Sequence, residues 1–142
     1  MTRLTPSFRI GLNVVVIDTS FLVRFLAQND PAQTPRAIQL IANESVWVSL
    51  TVLLEAEWVM RRILGMKSAR ILALRRAFVG IANVNVENPR RLANALDLSE
   101  DGMEFADALH LSAAEPGQRF ATFDKALLRE TRRAGFNGIF SP

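Results

Sequence analysis

The sequence contains no cysteine, which excludes several kinds of site. Disulfide bonds, thiolate-bound zinc and cysteine nucleophiles are impossible, so a metal ion would need oxygen ligands or the single histidine, His110. Long apolar runs are also lacking. None approaches the roughly 18 residues of a membrane span, and the run from Leu12 to Ile17 ends in Asp18 without a small-residue cleavage site. We therefore expect a soluble, unprocessed protein, and the absence of cysteine fits a cytoplasmic location.

Lysine is scarce as well, although the net charge is +3. The chain has fifteen arginines and two lysines, and arginine doublets occur at positions 61–62, 75–76, 90–91 and 132–133. The planar fork of arginine suits phosphate groups, but solvated helix faces explain such doublets equally well. The charge pattern therefore permits contact with a nucleic acid without establishing it.

Several catalytic motifs are absent too. The sequence has no G-x-S-x-G nucleophile motif, no glycine-rich phosphate loop and no H-E-x-x-H zinc motif. A phosphatase with an aspartyl nucleophile at a strand end often has a second acid two residues later, where this chain has Ser20 after Asp18. Acidic residues remain as the main candidates for chemistry.

The order of apolar patterns predicts the fold class. With 142 residues, 49% of them hydrophobic, we expect one domain over residues 13–142 after a loose leader at 1–12. Short apolar runs predict strands at 14–17, 46–48, 84–86, 119–122 and 138–140. Helical periodicity predicts helices at 19–28, 32–42, 50–64, 68–81, 89–97, 103–114 and 124–133. This alternation indicates a layered α/β fold with a mainly parallel sheet.

Two aspartates directly follow predicted strands. Asp18 comes after Val14–Ile17, and Asp124 comes after the strand near residue 120. In an open parallel sheet, ligands bind at the edge where the strands end. Each aspartate is equally explained as the N-cap of the next helix, with Thr19 or Ser20 as rival caps in the first case.

Two glutamates on the third helix are distinguished by their neighbours. Glu57 has Arg61 four residues later, which is the favourable spacing for an exposed ion pair. Glu55 has only uncharged residues at helical spacing, so we expect it to need a distant cation or a metal. Glu55 is thus the functional candidate of the two.

A third acidic feature lies on the helix at 103–114. Glu104, Asp107 and His110 are three residues apart and form a narrow polar stripe on a mainly apolar helix. Such a stripe faces a cavity or a partner. We expect Asp107 to be functional, whereas a lone histidine such as His110 is more often a hydrogen-bonded bystander.

Several carboxylates without thiolates suit a hard cation such as Mg²⁺ or Mn²⁺. Cleavage of a phosphodiester is the chemistry that such a site serves best, because metal ions lower the pKa of a bound water and neutralise charge on the leaving oxygen. Without a metal, the carboxylates would repel one another, and some would take up protons.

Four sequence blocks together match a known family. They are Val16-Ile17-Asp18-Thr19-Ser20-Phe21-Leu22-Val23-Arg24, Ser49 with Val52-Leu53 before Glu55, Phe105-Ala106-Asp107-Ala108-Leu109-His110, and Thr122-Phe123-Asp124-Lys125. In this order, over roughly residues 13–133, the chain resembles the PIN-domain ribonucleases. The resemblance is greatest to the VapC-type toxins of bacterial toxin–antitoxin pairs.

The resemblance implies a PIN-like three-layer α/β/α fold with a mainly parallel central sheet of four to five strands. It also implies that four acids bind Mg²⁺ or Mn²⁺ and direct a water at an RNA phosphodiester. These acids are Asp18, Glu55, Asp107 and Asp124, and Ser20 and Thr122 match supporting positions. Glu104 departs from the family's usual aspartate, so we assign it a supporting role as an acid outside the metal shell.

The resemblance further implies a homodimer and a cognate antitoxin whose tail covers the active-site groove. Two other functions stay open on the sequence. One is a catalytically silent PIN-like module that binds RNA or protein. The other is a PIN nuclease that acts in RNA maturation, or on DNA, without an antitoxin.

Overall fold

The computed structural model describes residues 13–142, and the chain divides after Pro89 into two compact units. The predicted leader at 1–12 lies outside the described residues. The first unit contains β1 (Val14–Val16), α1 (Thr19–Ala27), α2 (Gln33–Asn43), β2 (Ser45–Val48), α3 (Leu50–Trp58), a π-helical segment (Val59–Ile63), α4 (Ser68–Val79) and β3 (Val84–Val86). The second unit begins at Arg90, inside α5 (Pro89–Glu100), and contains the rest of that helix, α6 (Phe105–Leu111), β4 (Phe120–Ala121), α7 (Lys125–Arg133) and β5 (Ile139–Phe140).

The sheet of the first unit has three parallel strands in the order β1-β2-β3. The central strand β2 is the most buried, since Val46 and Val48 are fully covered. Because all three strands run the same way, their carboxyl ends meet at one edge. The residues that follow them at this edge are Asp18, Ser49 and Glu87.

The helices of the first unit pack around α1, which contacts α2, α3 and α4. Leu22, Leu53 and Phe78 are fully buried there, and the rings of Phe25 and Phe78 lie 5.7 Å apart. Burial of such large apolar side chains contributes about 1.5–3 kcal/mol each. This core fixes α1 and α3, the helices next to Asp18 and Glu55.

The predicted third helix at 50–64 has the expected extent but changes geometry after Trp58. The N–H of Leu64 bonds to the carbonyl of Val59 at 3.0 Å, five residues back, as in a π-helix. The helix ends before Gly65, whose φ of +67° lies in the left-handed region that favours glycine.

The second unit has a two-stranded parallel sheet in which Phe120 pairs with Ile139 and Ala121 with Phe140. Its three helices bury apolar side chains, among them Leu92, Leu96, Leu109 and Leu127. The N–H of Thr122 extends the pairing with a 3.0 Å bond to the carbonyl of Phe140.

The predicted α/β class with parallel strands is confirmed. The strands differ from the expected single sheet of four to five, because three form one sheet and the other two pair with each other. With only two residues each, β4 and β5 make few ladder bonds. In residues 13–142, no helix is both long and apolar enough to span a membrane.

The cap of α1 is Asp18 rather than its rivals Thr19 and Ser20, because the carboxylate of Asp18 accepts the N–H of Phe21. A carboxylate is the better cap here because its charge also interacts favourably with the helix dipole.

Candidate active site

Asp18 lies between β1 and α1 and caps the helix. Its Oδ1 accepts the N–H of Phe21 at 3.0 Å and the hydroxyl of Ser20 at 3.0 Å. These two bonds, the backbone N–H first, hold the pKa of Asp18 below its ordinary value. Within residues 13–142, no hydrogen bond reaches Oδ2. Asp18 can therefore cap α1 with Oδ1 while Oδ2 stays available to a ligand.

Glu55 lies on α3, which packs against α1 in the first unit. Its side chain is exposed, so Glu55 is not a buried carboxylate that needs a compensating charge for stability. The start of α3 is held twice. Ser49 Oγ accepts the N–H of Val52 at 3.1 Å, and Glu87 Oε1 accepts the N–H of Leu50 at 2.9 Å. These bonds satisfy N–H groups that the first turn of a helix leaves unpaired.

The sequence patterns did not identify Glu87 as important. Its signal was nevertheless the same as that of Asp18, because it is an acid directly after a buried strand. Glu87 positions the helix that carries Glu55.

Glu57 has a different environment from the one predicted. The expected ion pair forms, with Arg61 Nε 2.9 Å from Glu57 Oε1, but Glu57 is only 6% exposed. The guanidinium of Arg75 interacts electrostatically with Glu57 and is 2% exposed. Burial lowers the pKa of Arg75 to about 10, while the charge of Glu57 opposes the shift. Glu57 therefore belongs to a buried charged cluster in the first unit, and its role is structural.

Asp107 lies on α6 in the second unit and is half-buried. Burial raises the pKa of Asp107, and the negative charges of Glu104 and Asp124 raise it further, while His110 opposes them. Glu104 and His110 themselves are exposed. Asp107, at the centre of the predicted stripe, thus lies close enough to Asp124 for their charges to interact, and its ionised form is disfavoured.

Asp124 repeats the arrangement of Asp18 in the second unit. It follows β4 and caps α7, and its Oδ1 accepts the N–H of Leu127 at 3.0 Å. The N–H of Asp124 donates to Thr122 Oγ1 at 3.0 Å, which fixes the turn. Phe123 between them is 81% exposed. The sequence patterns did not identify this side chain, because an apolar residue at a strand end is normally buried.

The carboxylates described above provide oxygen donors that suit a hard divalent cation. Carboxylate oxygens are the ligands that Mg²⁺ and Mn²⁺ prefer, and a cation would relieve the repulsion around Asp107. As the side chains stand, residues 13–142 contain no group of three or more histidines and acids placed to hold a metal ion.

No curated protein matched the chain significantly. The chain is similar to a crystal structure of Mycobacterium tuberculosis VapC20, a sarcin-ricin loop cleaving toxin, with 22% identity, 88% of this chain and 97% of that chain covered, and a TM-score of 0.41. The family model described as PIN domain matches residues 15–133, which include all four predicted acids. The chain therefore belongs to the PIN domain family.

Proposed function

We propose that this chain is a metal-dependent endoribonuclease that cleaves RNA phosphodiester bonds as the toxin of a toxin–antitoxin pair in the cytoplasm. The observation that carries this proposal is the crowding of Asp107 by Glu104 and Asp124 in a member of the PIN family. A fold without a ligand at this place gains nothing from carboxylates that repel one another. A bound cation turns that repulsion into attraction.

In this proposal, Mg²⁺ or Mn²⁺ is held by Asp18, Glu55, Asp107 and Asp124. When bound, the ion supplies a water of lowered pKa and neutralises charge on the phosphate. The support comes from the sequence blocks around these acids and from the oxygen donors that they provide.

The neighbouring polar groups have separate tasks. Ser20 donates to Asp18 and keeps that carboxylate ionised and oriented. Thr122 accepts from the backbone of Asp124 and fixes the turn in which this acid lies. Glu104 adds negative charge beside Asp107 and acts as a supporting acid. These contacts hold the carboxylates before the substrate arrives, so less reorganisation is needed during the reaction.

The reaction is a hydrolysis. The oxygen of a water molecule forms a bond to phosphorus, and the bond from phosphorus to the leaving ribose oxygen breaks. The attacking water gives a proton to solvent or to a carboxylate, and the leaving ribose oxygen takes up a proton from solvent to become a hydroxyl group. The acids orient the attacking water opposite the leaving group. Orientation of this kind contributes a large share of the rate acceleration in such reactions.

The partners in the proposal follow from the VapC-like sequence blocks. We propose a homodimer and a cognate antitoxin that blocks the acidic site. Expression of the chain alone should arrest growth of the host cell, and co-expression of a small protein encoded next to it should restore growth. Cleavage of RNA without such arrest would favour the role in RNA maturation.

The experiment that tests the proposal measures cleavage of a structured RNA by the purified chain. We expect cleavage with Mn²⁺ or Mg²⁺, none with EDTA, and a loss of at least 100-fold in Asp107→Asn and Asp124→Asn, in the range for removal of one electrostatic group from an active site. Asp101→Asn is the matched control, because Asp101 is an exposed acid of the same unit. Undiminished cleavage by either site variant would overturn the proposal.

A further inference from the structure

The helix that begins at Asp124 has a cationic face. Lys125, Arg129 and Arg132 are spaced by four and three residues, which places them on one side of α7, and all three are exposed. We call these three residues the basic strip. The inference drawn from it rests on the proposed function.

The orientation of α7 is fixed by its opposite side. Leu127 and Thr131 are buried, and the hydroxyl of Thr131 donates to the carbonyl of Leu127 at 2.8 Å. A helix with one buried and one charged side cannot rotate without burying cations, which is costly. The basic strip therefore points away from the core of the second unit.

The cations of the basic strip are not used in ion pairs. Within residues 13–142, no carboxylate lies within ion-pair distance of Lys125, Arg129 or Arg132. The adjacent Arg133 differs, because it lines a cavity together with the acids Asp101 and Glu130. Three unpaired cations on one helix face repel one another, and an anionic ligand with several charges would relieve this.

The position of the strip identifies the ligand. It starts one residue after Asp124 and extends about 10 Å along the helix, given a rise of 1.5 Å per residue. Cations that recur once per turn, about every 5.4 Å, can meet successive phosphates of a strand laid along the helix. We propose that the basic strip binds the phosphate backbone of the RNA strand beside the cleaved bond. An acidic protein segment is the rival ligand.

Equilibrium binding of a fluorescent single-stranded RNA, measured in EDTA so that cleavage is suppressed, tests this proposal. The affinity is measured at several KCl concentrations for the wild-type chain and for Arg129→Gln/Arg132→Gln. Each phosphate contact contributes about 0.7 to the slope of log affinity against log salt for a single strand, so we expect the slope to fall by about 1.4. Binding at low salt should weaken at least tenfold.

The matched control is Arg36→Gln/Arg70→Gln, which removes the same charge from two exposed arginines of the first unit. We expect it to change the slope by less than half as much. Arg129→Lys/Arg132→Lys preserves charge and should retain most of the slope. Equal effects of the two glutamine variants would overturn the proposal, because they would indicate general attraction by net charge.

A fluorescent polyglutamate peptide tests the rival ligand in the same buffers. Loss of peptide binding in Arg129→Gln/Arg132→Gln with an unchanged RNA slope would overturn the proposal in favour of an acidic protein. The strip proposal can fail while the proposed nuclease function holds. If the strip variant binds RNA normally while Asp107→Asn abolishes cleavage, the strip proposal fails and the nuclease stands. If Asp107→Asn cleaves normally, the nuclease fails.

Discussion

Arg61 Nε lies 2.9 Å from Glu57 Oε1 in an ion pair whose carboxylate is almost completely buried. Two residues away on the same helix, Glu55 is exposed. Within one turn of α3, one glutamate is thus buried in an ion pair and the other, the proposed metal ligand, faces solvent. Their identical side chains make each the control for the other.

Glu57→Gln should lower the free energy of unfolding by about 3 kcal/mol, because it removes a buried negative charge that interacts with the buried Arg75. Glu55→Gln should change it by less than about 0.5 kcal/mol, as expected for an exposed site, while cleavage falls at least tenfold. Urea unfolding and RNA cleavage measure the two effects. If Glu55→Gln unfolded more easily than Glu57→Gln, the assignment of roles would be reversed.

Replacement of Asp18 by asparagine should preserve the stability of the fold but abolish activity. Asparagine caps a helix about as well as aspartate, so Asp18→Asn should remain nearly as stable, whereas Asp18→Ala should lose about 1 kcal/mol. Both should lose cleavage activity. Equal stability of the alanine variant and the wild type would contradict the cap.

The pH dependence of stability should also distinguish Asp18→Asn from the wild type. The pKa of Asp18 is lowered in the folded chain, so its charged form contributes stability above the ordinary value of 3.8, and this contribution is lost as the pH falls through the lowered pKa. Wild type should therefore lose stability in acid relative to the asparagine variant. Parallel stability curves between pH 2 and 6 would contradict this assignment.

Asp107 should destabilise the metal-free chain. Its pKa is raised, so the folded state binds more protons than the unfolded state between pH 3.8 and the raised value. Stability falls as the pH rises through that window, and the penalty persists at pH 7. In EDTA at pH 7, Asp107→Asn should raise the melting temperature by roughly 2–4 °C. With Mn²⁺ at a concentration that saturates the wild type, the order should reverse, because binding stabilises the wild type more than the weaker-binding variant.

Phe123 should act in substrate binding because an exposed aromatic ring beside Asp124 offers a face on which a base can stack. Stacking contributes about 1–3 kcal/mol per base, so Phe123→Ala should raise KM for RNA roughly tenfold. Phe123→Trp should preserve KM. A loss of more than about 1 kcal/mol of stability in Phe123→Ala would contradict the exposed position.

Much of the fold followed from periodicity. The helix at 33–43 and the strands at 45–48 and 84–86 lie within one residue of their predicted bounds, because β-branched runs and the 3.6-residue period are local signals. The π-helical turn after Trp58 was not predictable in this way. The π-helical turn depends on which carbonyl oxygen each N–H bonds to. The sequence pattern of such a turn differs little from that of an α-helix.

The site was predictable to a different degree at each residue. Asp18 and Asp124 were identifiable because each follows an apolar run, and the structure makes both of them helix caps. The spacing correctly predicted the ion pair of Glu57 with Arg61 but not its burial, because i, i+4 spacing identifies a partner and not how deeply the pair is buried. Burial depends on packing between elements that are distant in sequence, such as α3 and α4.

The most direct test of the proposed metal site is a calorimetric titration of the wild-type chain with Mn²⁺ beside Asp107→Asn and the control Asp101→Asn. We expect saturable binding by the wild type and the control, and a loss of affinity of at least tenfold in Asp107→Asn, together with loss of RNA cleavage in the same buffers. Equal Mn²⁺ affinity of all three proteins would contradict the claim that the carboxylates around Asp107 form the metal site.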